Sequence, residues 1–146
     1  MPIPGGRVNL FLDASVALAA CGRPTGSSGA VFDLASRNGW TLMISPYVVS
    51  EVTRNLPRLP APAAQDWAQL RASLVAVRDV WTMDRPAVFG PAKDRPVLFT
   101  AAAWTEVLLT LDRGDFGAVM GAGFYGLEVL TPGDFLERER AAGRLR

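Results

Sequence analysis

The sequence contains no histidine, a single cysteine and a single lysine among its 146 residues. Without imidazole, a Ser-His-Asp or Cys-His triad, a histidine general base and a histidine-held metal are all excluded. Cys21 alone cannot build a disulfide framework, a zinc knuckle or a CxxC redox pair. Phosphate-loop (GxxxxGK[ST]) and nucleophile-elbow (GxSxG) motifs are also missing; "GRPTGSSG", from Gly22 to Gly29, is rich in Gly and Ser but lacks the lysine. No segment reaches the roughly 18 consecutive apolar residues of a transmembrane helix. The formal net charge of +1 gives no bulk signature of a nucleic-acid binder, although a local basic groove stays open. Fourteen arginines accompany the one lysine, which suits bidentate phosphate contacts and is equally what a coding bias would produce.

What is present is the composition of a compact folded protein, 49% hydrophobic and 20% charged, in a length that fits one domain, residues 1–146. The chemistry left to such a chain rests chiefly on carboxylates, and carboxylates without imidazole suit hard divalent cations such as Mg²⁺ or Mn²⁺.

The stretch "VNLFLDASVALAAC" (Val8 to Cys21) has two readings. Arg7, an apolar stretch and "LAAC" resemble an export signal ahead of a lipidated cysteine. A signal core, however, is about 7 to 15 uninterrupted apolar residues, and Asn9 and Asp13 interrupt this one. A carboxylate at the centre of an inserting helix costs roughly 2.5 to 3.5 kcal/mol. The preferred reading is a buried strand ending in Asp13, in a cytoplasmic protein.

After a short Pro/Gly leader, strands are expected at "VNLFLD", "WTLMIS" (Trp40 to Ser45), "DVWTMD" (Asp79 to Asp84), "EVLLTLD" (Glu106 to Asp112) and "LEVLT" (Leu127 to Thr131). Between them helices are expected from Ser15 to about Cys21; through "AVFDLASRN", with Thr25, Ser27 or Ser28 as N-cap and Asn38-Gly39 as stop; and through "PYVVSEVTRNL", with Ser45 as N-cap and Pro46 at the first helical position. Pro57, Pro60 and Pro62 end that helix. Trp67, Leu70, Leu74 and Val77 share a helical face, Asp94 to Trp104 reads as a helix, and "TPGDFLERERAAGRLR" as the last one. Alternating strands and helices argue for an α/β fold with a parallel sheet, and three strands are apolar at consecutive positions, as strands covered on both faces should be.

In such sheets ligands bind outside the carboxyl ends of the strands. Two strands end on Leu12-Asp13 and Leu111-Asp112, which shares one edge between two acids if those strands are neighbours. Asp13 could equally cap the next helix, and Asp112 could be a turn residue. Glu51 lies six residues beyond Ser45, either buried toward the acids or exposed and paired with Arg54. Asp94 stands where a helix needs an N-cap. Asp115 reads as a loop residue, and Thr131-x-x-Asp134 as a cap for the last helix. Together, several acids at the ends of one parallel sheet match what a one- or two-metal phosphodiester site requires.

Taken in order, "FLDASV", "ISPYVVSEV", "KDRPVLFTAAA", "LLTLDRGDF" and "LEVLTPGDFL" resemble the PIN-domain nucleases, in particular the toxins of bacterial and archaeal toxin-antitoxin systems related to VapC. The resemblance covers nearly the whole chain. It implies a three-layer fold with a central, mainly parallel five-stranded sheet flanked by helices, Mg²⁺- or Mn²⁺-dependent RNA cleavage, and a small antitoxin partner. It implies that Asp13, Glu51, Asp94 and Asp112 form the catalytic, metal-binding cluster, with Asp13 and Asp112 the firmest ligands. Ser15 and Thr110 would orient them by hydroxyl hydrogen bonds, with Asp115 assisting from the rim. Trp104 departs from the small residues expected in "AAWTEV", which bears on packing and substrate shape. Arg54 and Arg58 are candidates for contacts to RNA phosphates, and "ERERAAGRLR" for contacts to an antitoxin or a second protomer. The rival readings are a non-catalytic PIN-like module that binds RNA or protein, and phosphoryl transfer on a small molecule in another doubly wound fold, which lacks a phosphate loop here.

Overall fold

The computed structural model describes residues 7–23, 25–87 and 89–146; the Pro/Gly leader, residues 1–6, lies outside them. The elements run β1 (Val8–Leu12), α1 (Ala14–Gly22), α2 (Ser27–Asn38), β2 (Trp40–Ile44), α3 (Pro46–Asn55), α4 (Pro62–Arg71), β3 (Val75–Ala76), α5 (Arg95–Trp104), β4 (Val107–Leu109), α6 (Arg113–Phe116), β5 (Glu128–Leu130) and α7 (Pro132–Ala141). All five strands are parallel, in the order β3-β2-β1-β4-β5.

"VNLFL" forms the middle strand because its residues are apolar on both faces. Leu10, Phe11 and Leu12 are fully buried, Phe11 in one core with Leu108, Leu10 and Leu12 in another with Val107 and Leu109. Helices α3, α4 and α5 cover the first face, through Val48, Val52, Trp67, Val97 and Leu98. Helices α2 and α7 cover the second, through Val31, Ala35, Phe135 and Leu136. The result is the expected three-layer α/β architecture with a five-stranded parallel sheet. Cleavage ahead of Cys21 would remove the central strand, so the export reading is incompatible with this fold.

Four local expectations are corrected. The third strand is Val75–Ala76, paired with Met43 and Ile44, and not Asp79 to Asp84. There the ladder is replaced by side-chain partners: the Asp79 carboxylate accepts from Tyr47 N at 3.1 Å, and Val80 N donates to Thr100 Oγ1 at 2.8 Å. The helix carrying Trp67 and Leu70 stops at Arg71, where Ser73 Oγ turns back to Leu70 O at 2.7 Å, so Leu74 and Val77 lie beyond it. The cap of α2 is Gly26, not Thr25, Ser27 or Ser28. A short helix, α6, occupies the segment read as loop around Asp115.

The Asn38-Gly39 stop holds, with Gly39 in the left-handed region at φ 71°, where a side chain would be strained. Pro46 opens α3 as expected, although Ser45 makes no side-chain capping bond.

Candidate metal centre

Because the sheet is parallel, the residues that follow its strands gather at one edge. Register pairs Leu12 with Leu109 and Leu109 with Leu130. Asp13 N donates to Leu109 O at 3.0 Å, and Thr110 N to Leu130 O at 3.0 Å, so pairing continues one residue past β1 and β4. Asp13 and Thr110 thereby become neighbours, and Asp112 lies two residues further along the same edge.

Asp13 is only 6% exposed. It stands at the N-cap position of α1 without making a side-chain capping bond. Its Oδ2 instead accepts from Ser15 Oγ and Thr110 Oγ1, each at 2.8 Å. Ser15 Oγ in turn accepts from Leu111 N at 3.0 Å, and Thr110 Oγ1 from Asp112 N at 3.0 Å. The two hydroxyls therefore tie the Asp13 carboxylate to the backbone that presents Asp112. Burial raises the Asp13 pKa; the bonds from Ser15 and Thr110 oppose this, and the Asp112 charge adds to it.

Asp94, Asp112 and Asp115 form the tightest group: each offers a carboxylate oxygen, and these oxygens lie within 4.8 Å of one another. Asp112 caps α6, its Oδ1 accepting from Asp115 N at 2.9 Å. Asp115 thus faces Asp112 across the first turn of a helix that the sequence reading missed; the Asp112-x-x-Asp115 spacing was the signal available for it. The cap that Asp94 was expected to provide is absent. It occupies that position before α5 without a side-chain bond, is 7% exposed, and leaves a buried Oδ2 without a partner. Burial, followed by hydrogen bonding with Asp115 and its charge, pushes Asp94 up to about 7. The same contact, with Lys93, lowers Asp115.

Glu51 is half-buried on α3, with Oε1 buried and without a partner. Burial and then the Asp13 charge raise its pKa. The alternative of an exposed Glu51 paired to Arg54 does not hold: among the described residues no ion pair joins them, and Arg54 acts on Glu51 only through its charge. Arg54 and Arg58 are both exposed.

Lys93 and Tyr47 complete the rim, and neither was singled out from the sequence. Lys93 Nζ lies 3.2 Å from Asp115 Oδ2. The Tyr47 hydroxyl donates to the Lys93 carbonyl, and burial with the charges of Glu51 and Asp94 raises its pKa. That lone lysine, one residue before an acid, was the available clue.

The donor set fits a hard divalent cation. Metal–oxygen bonds of roughly 2.0 to 2.6 Å allow ligand oxygens on one ion to sit up to about 5 Å apart. The group spanning 4.8 Å meets this, and the partnerless oxygens of Asp94 and Glu51 are unsatisfied in the way that a missing electrophile would leave them.

Comparison with known proteins places this geometry in a familiar fold. One chain of VapBC2 from Rickettsia felis, solved bound to a DNA fragment from its promoter, superposes with a TM-score of 0.58 at 14% identity, covering 83% of this chain and 96% of that one. VapC20 from Mycobacterium tuberculosis, described as a Sarcin-Ricin loop cleaving toxin, superposes with a TM-score of 0.51 at 21% identity, covering 82% and 98%. No family model matches the sequence, and a search of curated proteins returns no match. At these identities the likeness shows a shared fold, the PIN-like architecture that the sequence resemblance implied.

Proposed function

We propose that the protein is a metal-dependent endoribonuclease and the toxin of a toxin-antitoxin pair, with residues 1–146 acting as one PIN-like domain. The observation that carries this reading is the convergence of Asp94, Asp112 and Asp115 within 4.8 Å, beside buried Asp13, at the carboxyl edge of a parallel sheet. Asp13, Glu51, Asp94 and Asp112 would hold Mg²⁺ or Mn²⁺, with Asp115 as a further ligand. The bound ion would supply the Lewis acidity that activates water and steadies the charge developing on a phosphodiester.

The chain's own residues do the positioning. Ser15 and Thr110 fix the Asp13 carboxylate and, through Leu111 N and Asp112 N, the loop that carries Asp112. Burial and the neighbouring Asp115 push the Asp94 carboxyl up to about 7, so a proton there would have to leave before Asp94 acts as a ligand. Lys93 and Arg54, whose charges reach Glu51, would offer cations to the RNA backbone, with exposed Arg58 as a further candidate. Cleavage of RNA would be cytoplasmic work; no described helix is long and apolar enough to cross a membrane. A cognate antitoxin and a second copy of the chain are the partners that the reading includes. The first structural neighbour being solved as VapBC2 on promoter DNA supports the former.

The test is Mn²⁺-stimulated cleavage of RNA by the wild type and by Asp13→Asn and Asp112→Asn. Both variants should remain folded and lose activity; full activity in both would overturn the assignment. The rival, a non-catalytic binding module, would show no heat on titration with Mn²⁺. It is disfavoured because a scaffold need not keep partnerless buried oxygens on Asp94 and Glu51.

A further inference from the structure

Trp81 is the most exposed of the four tryptophans. It is 59% exposed, against 43% for Trp104, while Trp40 and Trp67 are buried. It does not sit on a loose loop. The segment is pinned from three sides: Trp104 Nε1 donates to Arg78 O at 3.0 Å, Tyr47 N to Asp79 Oδ2 at 3.1 Å, and Val80 N to Thr100 Oγ1 at 2.8 Å. The Trp104 that departs from the small residues expected at its position therefore has a structural role in holding this segment. Trp81 meets Tyr47 edge to face, with ring centroids 5.4 Å apart and planes at 86°. Such a pair fixes the orientation of the indole while leaving most of its surface open.

Tyr47 links that surface to the acids. Its hydroxyl donates to the carbonyl of Lys93, the residue before Asp94, and its ring feels the charges of Glu51 and Asp94. Trp81 is thus one aromatic ring away from the carboxylate group. Tyr47 also feels the charges of the exposed cations Lys93 and Arg54, which attract a phosphodiester backbone. A rigid, exposed indole beside a cationic rim is the pairing by which proteins hold unpaired nucleotides: charge tracks the backbone and an aromatic face takes a base.

We infer that Trp81, oriented by Tyr47, is a stacking platform for one unpaired nucleobase flanking the phosphate that enters the acidic centre. It is a substrate-positioning residue, and the inference rests on the proposed nuclease reading for the location of that phosphate. The occupant is a nucleic-acid base and not a protein segment, because Trp81 packs on Tyr47, and Tyr47 in turn borders the acids and the cations Lys93 and Arg54.

The test uses the full chain and a single-stranded RNA oligonucleotide that the wild type cleaves or, failing cleavage, one that it binds. Binding is measured in the Asp13→Asn background, and cleavage kinetics in the wild-type background. Trp81→Ala should weaken binding and raise KM by about tenfold with little change in kcat, and Trp81→Phe should restore most of the loss. An abasic nucleotide moved along the strand should weaken binding by a similar factor at one position, and at that position should have no further effect on Trp81→Ala. Binding unchanged by Trp81→Ala, or no position coupled to it, overturns the inference. So does a variant that keeps RNA binding but loses a stable complex with a protein partner. Coupling without any Mn²⁺-dependent cleavage by the wild type would sink the nuclease reading and leave the platform standing; cleavage without coupling would do the reverse.

Discussion

Thr110 Oγ1 donates to Asp13 Oδ2 at 2.8 Å and accepts from Asp112 N at 3.0 Å, so one hydroxyl joins the acid that directly follows β1 to the acid three residues beyond β4. The two residues are 97 positions apart in sequence and meet because β1 and β4 pair with Leu12 beside Leu109. Thr110 is fully buried and Asp13 nearly so, so the Asp13 carboxylate has little water to turn to if Thr110 is removed, whereas Asp112 is half-buried.

Thr110→Val keeps the shape and deletes both bonds. The Asp112 amide and half of the Asp13 anchorage lose their partner, which should destabilise the protein by about 1 to 3 kcal/mol. Urea denaturation checks this. RNA cleavage should fall by at least tenfold, whereas Thr110→Ser, which restores the hydroxyl, should recover most of it.

Asp94 provides a pH-dependent test of stability. Its pKa is about 7 in the folded protein and about 3.9 unfolded, so between those values the folded state binds more protons and stability falls as pH rises. Asp94→Asn should therefore leave stability unchanged near pH 4 and increase it at pH 8, by of order 1 to 4 kcal/mol, the upper figure corresponding to the full rise from about 3.9 to about 7 and the lower allowing for the stabilising contact with Asp115 that the variant also loses. Thermal melts without metal at the two pH values decide it. A variant less stable than the wild type at pH 8 would mean that the Asp94 charge is favourably paired.

How much of this was legible in sequence depended on the range of the forces involved. "LFL" (Leu10 to Leu12) and "VLL" (Val107 to Leu109) are apolar without interruption, and that alone places them inside a parallel sheet. The edge that collects Asp13 and Asp112 then follows from topology. The two-residue β3 was not legible, because Leu74 and Val77 continue a helical spacing whose helix has already ended at Arg71. Asp94 was read as a cap because a residue before a helix is usually one, and only tertiary packing reveals that its carboxyl turns away from the helix amides. Lys93 and Tyr47 became rim residues through contacts to Asp115 and to the Lys93 carbonyl, which no local pattern announces.

Proton release should accompany metal binding. If Mn²⁺ takes Asp94 as a ligand, the proton held at about pH 7 must leave. Apparent affinity should then rise about tenfold per pH unit below 7 and level off above it. Calorimetry in two buffers of different ionisation enthalpy should show nearly one proton released at pH 6 and few at pH 8. Equal release at both would remove Asp94 from the ligand set.

Lys93 competes with a metal for Asp115. Its ammonium lies 3.2 Å from Asp115 Oδ2 with the side chain largely exposed, so the pair adds little to stability. The charge is nevertheless held against a carboxylate of the candidate centre, where it both occupies a ligand oxygen and repels a cation. Lys93→Met removes both effects and should tighten Mn²⁺ binding several-fold while leaving the urea midpoint nearly unchanged. Raising the ionic strength should narrow the difference between variant and wild type, because the pair is open to solvent. If Lys93→Met instead weakens Mn²⁺ binding, Asp115 depends on the lysine for its orientation, and the ion pair supports the centre rather than guarding it.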